Sequence, residues 1–121
     1  MRRMLIVEDE RDLSDCLKEF FTMKGFSVES VFSGEEAVER LKQQAIDVVL
    51  LDVMLPGVSG LEVLRRIKAI RPEARVVIMT GIDQQDIREE AQHCGACGYI
   101  TKPFDFSDAT WFPVFSDTPT S

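Results

Sequence analysis

Apolar residues along this chain fall into two kinds of segment that alternate. LIV at 5–7, VVLL at 48–51 and VVIM at 76–79 are short, unbroken apolar runs. Runs of that length mark strands covered on both faces. Between them, apolar residues recur at three- and four-residue spacing, the pattern of an amphipathic helix. Leu13, Cys16, Leu17, Phe20 and Phe21 share one face of such a helix, as do Ile87, Ala91 and Cys94 of a later one. The alternation predicts βαβ units on a parallel sheet. It places strands near residues 3–7, 27–31, 47–51, 75–79 and 97–101, and helices near 11–24, 33–44, 59–70 and from Asp83 onward. SGEE at 33–36 and SGLE at 59–62 have the spacing of capping boxes. Gly25 and Pro72 close the first and third helices, and Asp83 serves as an N-cap for the fourth.

The first, third and fourth strands are continuously apolar and belong in the middle of the sheet. The second, with Val28-Glu29-Ser30-Val31, and the fifth are mixed and belong at its edges. The expected fold class is therefore α/β, a flavodoxin-like doubly wound five-stranded parallel sheet in the order 2-1-3-4-5. In such sheets ligands bind beyond the carboxyl ends of the strands. Here those ends carry Glu8-Asp9, Asp52, Thr80 and Lys102. Three acids, a hydroxyl and an ammonium at one sheet edge point to phosphate and metal chemistry.

Composition narrows the partners. The chain has 121 residues, enough for one domain, and its net charge of −7 disfavours direct binding to nucleic acid or to an anionic membrane. Part of that charge lies in Glu8, Asp9, Glu10, Asp12 and Asp15, which suits a cation site. No apolar stretch is long enough to span a bilayer, and the one after Arg3 is too short for a signal peptide, so the expected location is cytoplasmic. The three cysteines, Cys16, Cys94 and Cys97, argue against a disulfide framework. His93 and the pair Cys94/Cys97 raise zinc or redox chemistry. A structural zinc wants four ligands, and a redox C-x-x-C opens a helix rather than closing one. The preferred reading is a small buried Cys94 and a strand Cys97, with Cys16 in the core.

Beyond Phe106 the pattern degrades. Residues 107–110 have the composition of a helix start, but WFPVF at 111–115 shows no helical face and contains a proline. The expected organisation is a domain over 1–106 and a divergent, partly disordered tail over 107–121, with a fifth helix atypical or missing. One side of the fifth strand would then be poorly covered, inviting self-association as a homodimer.

LIVEDE at 5–10, DVMLPGVSG at 52–60, MTG at 79–81 and YITKPF at 99–104 together resemble the receiver domain of two-component response regulators, of the chemotaxis-regulator-like kind. The resemblance covers residues 3–106. It implies a phosphoacceptor module that takes a phosphoryl group onto Asp52 from a sensor histidine kinase or phosphotransfer protein, with Mg²⁺ or Mn²⁺ as cofactor, and then switches conformation. It implies metal ligation by Asp9, Asp52 and the backbone carbonyl of Met54, with Glu8 acting through a metal-bound water. Lys102 would bind phosphoryl oxygens, and Thr80 and the Gly81 N–H would meet the new phosphoryl group. Tyr99 would be the aromatic partner of Thr80 in the switch, and Met54 and Ile82 would tune the lifetime of the phosphorylated form. Pro103 makes the peptide before it a candidate for the cis form. Such a module is not an enzyme beyond its own phosphoryl uptake and slow loss.

Two other readings compete. A phosphorylation-independent interaction domain would use the same fold as a docking surface, without need of the acid, threonine and lysine set. An aspartyl-phosphate hydrolase resembles D-x-D, but Met54 stands where its second acid would be. A P-loop nucleotide site is excluded by the absence of its glycine-lysine motif.

Overall fold

The computed structural model describes residues 2–54, 59–81 and 84–115. The elements alternate as expected: β1 (Arg3–Val7), α1 (Arg11–Met23), β2 (Ser27–Val31), α2 (Gly34–Gln43), β3 (Val48–Leu51), α3 (Gly60–Ile70), β4 (Arg75–Thr80), α4 (Gln85–His93), β5 (Gly98–Thr101) and α5 (Asp108–Phe115). The five strands form one parallel sheet in the order β2-β1-β3-β4-β5.

Alternation along each central strand feeds two apolar layers. Leu5, Val7, Val49, Leu51, Val76 and Ile78 face α2, α3 and α4. Met4, Ile6, Val48, Leu50, Val77 and Met79 face α1 and α5. β1, β3 and β4 are buried on both faces, which is why they read as unbroken apolar runs. β2 and β5 are half-buried edges.

The helix starts show where sequence signals hold. The Ser33 hydroxyl accepts the Glu36 N–H at 3.2 Å, as the capping box predicts. Ser59 also caps its helix, but through the Leu61 N–H rather than that of Glu62. Asp83, the expected cap of α4, lies outside the described residues. Gln84 stands immediately before that helix and makes no side-chain cap.

Two expectations need correction. Cys16 is exposed, and Ser14 takes the buried place beside Leu17 and Phe21. Each helical residue turns by about 100°, so Cys16 falls outside the stripe centred on Leu17, beyond Leu13 and Phe20 on the same side, while Phe21 and Ser14 lie on the other. Met23, at the end of the same helix, is 81% exposed.

The second correction concerns residues 108–115, which form a helix rather than a featureless tail. Of the two expectations for the fifth helix, it is atypical and present. Trp111 and Val114, three apart, are fully buried in the α1 layer. Ser107 caps the helix by accepting the Thr110 N–H at 3.2 Å, and the Trp111 indole N–H donates to the Asp105 carbonyl at 2.8 Å. Trp111 packs edge-on against Phe21 and Phe104, with centroids 5.3 and 4.8 Å away. Pro113 would ordinarily cost an interior helix about 3 kcal/mol. Its position is supported from outside: Arg75 donates to the carbonyls of Pro113 (2.6 Å) and Val114 (3.4 Å), and Arg2 to those of Phe115 (3.2 Å) and Val114 (3.4 Å). α5 packs against β5, so the side of that strand expected to be open is covered, and the argument for a homodimer from an uncovered strand loses its basis.

Candidate functional site

Parallel register brings the carboxyl ends of the strands level. Val7 pairs with Leu51, Leu51 with Ile78, and Thr80 with Thr101. Backbone bonds continue the sheet just past those ends: Asp52 N–H to Val7 O at 3.2 Å, Glu8 N–H to Val31 O at 3.2 Å, and Lys102 N–H to Thr80 O at 2.7 Å. The Lys102–Pro103 peptide is cis. α3 begins hard against the exit of β3. A Cβ on Gly60 would overlap the Val53 backbone and lie 2.8 Å from the Asp52 carbonyl, so glycine is required for that approach.

The side chains meet at one point. Lys102 Nζ donates to Glu8 Oε1 at 2.7 Å and to Asp52 Oδ2 at 2.9 Å. The other Asp52 oxygen, Oδ1, accepts the Met54 backbone N–H at 2.8 Å. Glu8 and Thr80 are fully buried and Asp52 is 3% exposed. One oxygen each from Glu8, Asp9 and Asp52 lies within 4.8 Å of the others. Glu10, one of the acids that the sequence groups at a cation site, stands further out, 3.9 Å from Lys102.

This arrangement is electrostatically unsatisfied. Glu8 Oε2 is buried and has no hydrogen-bond donor. Burial first, and then the adjacent Asp52 carboxyl, push Glu8 from its ordinary 4.5 up to about 7, with Lys102 offsetting only part. Burial pulls the Lys102 ammonium down, but the hydrogen bonds to Glu8 and Asp52 and their charges outweigh it, so the net shift is upward. Lys102 therefore stays charged, and the proton held beyond its ordinary range is that of Glu8. When Glu8 is ionised its Oε2 lacks a donor; a proton on Glu8 or a nearby cation would supply the missing positive partner. Carboxylate oxygens alone select a hard divalent ion such as Mg²⁺ over softer metals. The orphaned Oε2 and the acidic cluster fit that ion.

The remaining residues singled out from sequence divide. Gly81 is exposed, with open space where a Cβ would stand. The Met54 side chain is 57% exposed. Ile82 lies outside the described residues, as do the loop residues 55–58. Tyr99 lies half-buried on β5, packed against the α2–α4 layer, with the Arg88 guanidinium carbon 4.6 Å above its ring. Arg88 is a neighbour the sequence did not reveal, because nothing local says which strand residue faces it. Cys94 and Cys97 are both free and half-buried, so Cys94 is less enclosed than expected. They pack against opposite apolar layers, Cys94 on the α2–α4 side and Cys97 on the α1–α5 side. Among the described residues, no potential metal cluster includes either one.

Comparison with known proteins gives a consistent picture. Residues 4–110 match the family model described as response regulator receiver domain. The chain is 34% identical over 106 residues to sporulation initiation phosphotransferase F of Bacillus subtilis, covering 88% of this chain and 86% of that protein. It is 37% identical over 103 residues to the transcriptional regulatory protein DltR of Streptococcus agalactiae, covering 85% of this chain and 46% of DltR. The chain thus spans less than half the length of that relative. A crystal structure of a CheY-like response regulator receiver domain protein from Methanospirillum hungatei superposes with a TM-score of 0.86 at 27% identity, covering 90% of this chain and 87% of that one.

Proposed function

We propose that this chain, which belongs to the response regulator receiver domain family, accepts a phosphoryl group on Asp52 from a histidine kinase or a phosphotransfer protein. The observation that carries this reading is the setting of Asp52. It is buried at the carboxyl edge of the sheet, oriented by the Met54 N–H, paired with Lys102, and within reach of Glu8 and Asp9.

Each residue then has a task. Asp52 is the nucleophile: its carboxylate oxygen forms the new O–P bond while the donor's P–N bond breaks and the imidazole takes the electron pair. The Met54 N–H holds Oδ1, leaving Oδ2 on the side of Lys102. Glu8, Asp9, Asp52 and the Met54 carbonyl would hold Mg²⁺ or Mn²⁺, which offsets the repulsion between an anionic nucleophile and an anionic donor. Lys102, leaving Glu8 and Asp52, would bind the transferred oxygens. Thr80 and the Gly81 N–H would donate to them, and Thr80 would draw the β4 end with it, biasing Tyr99. The domain that does this extends through α5 to Phe115.

A docking-only role is the weaker reading. It gives no reason to bury Glu8 without a donor on Oε2. Among the described residues no helix is long and apolar enough to cross a membrane, and a cytoplasmic location is part of this proposal. No contact with nucleic acid is proposed for this acidic domain; DltR is a transcriptional regulatory protein, but this chain corresponds to under half of it.

Mass spectrometry after incubation with a small phosphodonor and Mg²⁺ tests the reading. One phosphoryl adduct is expected on the native chain and none on Asp52→Asn. Undiminished labelling of the variant would overturn it.

A further inference from the structure

α4 carries an arginine whose contacts run along one face of β5. Residues two apart on a strand share a face, so Tyr99 and Thr101 point the same way. Arg88 meets both: its guanidinium carbon lies 4.6 Å over the Tyr99 ring, and Nη2 donates to Thr101 Oγ1 at 3.3 Å. Thr101 pairs in register with Thr80 on β4 and immediately precedes Lys102. One planar cation therefore spans the aromatic and the last strand residue before the site.

Arg88 lies near the start of α4, which spans Gln85–His93. Beside it, between α4 and β5, lies an open cleft of about 290 Å³, bordered by Arg88, Gln92 and Tyr99. Tyr99 also borders a second cleft, toward Phe104 and Asp105. The ring is thus at the surface, with free space beside it and a cation above it.

We propose that Arg88 is a positioning residue that latches Tyr99 in this half-exposed place, so that loading of the Asp52 site must release the aromatic from a guanidinium as well as draw in Thr80. The latch rests on the proposed function only for its consequence, not for its geometry. A cation over an aromatic face favours that ring position, and a planar guanidinium that also bonds Thr101 favours it more than a lysine ammonium does. Removing the latch makes the other ring position easier to reach and tightens binding of a phosphoryl analogue.

The chain has a single tyrosine, so fluorotyrosine labelling gives one ¹⁹F resonance to follow. That resonance is compared in the parent, Arg88→Met and Arg88→Lys, without and with beryllofluoride and Mg²⁺. In Arg88→Met the unliganded resonance is expected to move toward its analogue-bound position. The beryllofluoride dissociation constant should fall by about 2–5-fold, the range for an exposed to part-buried cation–π contact. Arg88→Lys should fall between parent and Arg88→Met on both measures. Parent-like resonance and affinity in Arg88→Met would overturn the latch, and so would equal effects of Met and Lys. If beryllofluoride leaves the parent unchanged, the Asp52 reading fails. The latch is then judged by the unliganded spectra alone, where a resonance unmoved by Arg88→Met overturns it and a moved one upholds it.

Discussion

Both ends of this sheet set a basic side chain against oxygen atoms from distant parts of the chain, with opposite outcomes. At the carboxyl edge, Lys102 sits between Glu8 and Asp52, and one buried carboxylate oxygen is left without a donor. At the opposite edge, Arg2 and Arg75 donate to carbonyls at the end of α5, just where a helix leaves its last carbonyls without partners. The first end holds like charges together at a cost; the second removes a cost. The Ser14 and Ser30 hydroxyls are also buried without a partner, but an ionisable carboxylate in that state is far costlier than a neutral hydroxyl.

The largest expected effect sharpens the satisfied end. Trp111→Ala should lower unfolding free energy by about 3–5 kcal/mol, since a fully buried aromatic leaves a cavity. Chemical denaturation measures it. Phosphoryl uptake at a temperature where the variant stays folded should survive. A loss below about 1 kcal/mol would mean that α5 is docked too loosely to belong to the core.

The next effect probes the frustrated end. Glu8, raised to about 7 from 4.5, keeps its proton in the folded state over a range where the unfolded chain has lost it. Its contribution to stability therefore falls as pH rises from 4.5 to 7, by up to ~3 kcal/mol, and is level outside that window. Metal-free parent should lose stability relative to Glu8→Gln across that interval. Saturating Mg²⁺ should shrink the loss. Parallel curves for parent and variant would show that burial does not hold a proton on Glu8.

A kinetic change of similar or smaller size concerns two apolar residues, Met54 and Ile82. The half-exposed Met54 side chain and Ile82 offer no hydrogen bond to a hydrolytic water. The phosphorylated form should therefore be long-lived. Met54→Asn combined with Ile82→Glu should speed its decay by about 10²-fold or less, the low end for gaining a positioning or proton-relay group, without changing uptake. Decay already fast in the parent, or unchanged in the double variant, would remove these residues from control of lifetime.

The smallest effect returns to the opposite edge. Arg75→Ala should cost about 1–3 kcal/mol by removing charge-assisted bonds to part-buried carbonyls. The unfolding transition would show it, while the Tyr99 resonance should stay put. Movement of that resonance would mean that the two ends are coupled.

Much of the site was legible because strand ends are. A strand segment followed at once by Glu8, Asp52 or Lys102 puts that residue at the sheet edge whatever the packing, and parallel order makes the edges coincide. Ser33 was legible for a similar reason, since its partner Glu36 is three residues away. Cys16 was misread because a helical stripe has a width that spacing does not reveal. The cap on Ser59 reached a different N–H than expected because α3 starts against Val53, a tertiary constraint.

By itself, the sequence determined the alternation of strands and helices, the sheet order and the residues at the carboxyl edge. Each of these follows from local periodicity and the few topologies that a parallel sheet allows. Tertiary structure alone decided that residues 108–115 are a helix, that Glu8 is fully buried with an oxygen lacking a donor, and that Arg88 lies over Tyr99. The physical reason is separation along the chain. Arg2 and Phe115 are 113 residues apart, and Glu8 and Lys102 are 94 apart. Contacts between such distant residues leave no period in the sequence, so they exist only once the sheet has brought its strands together.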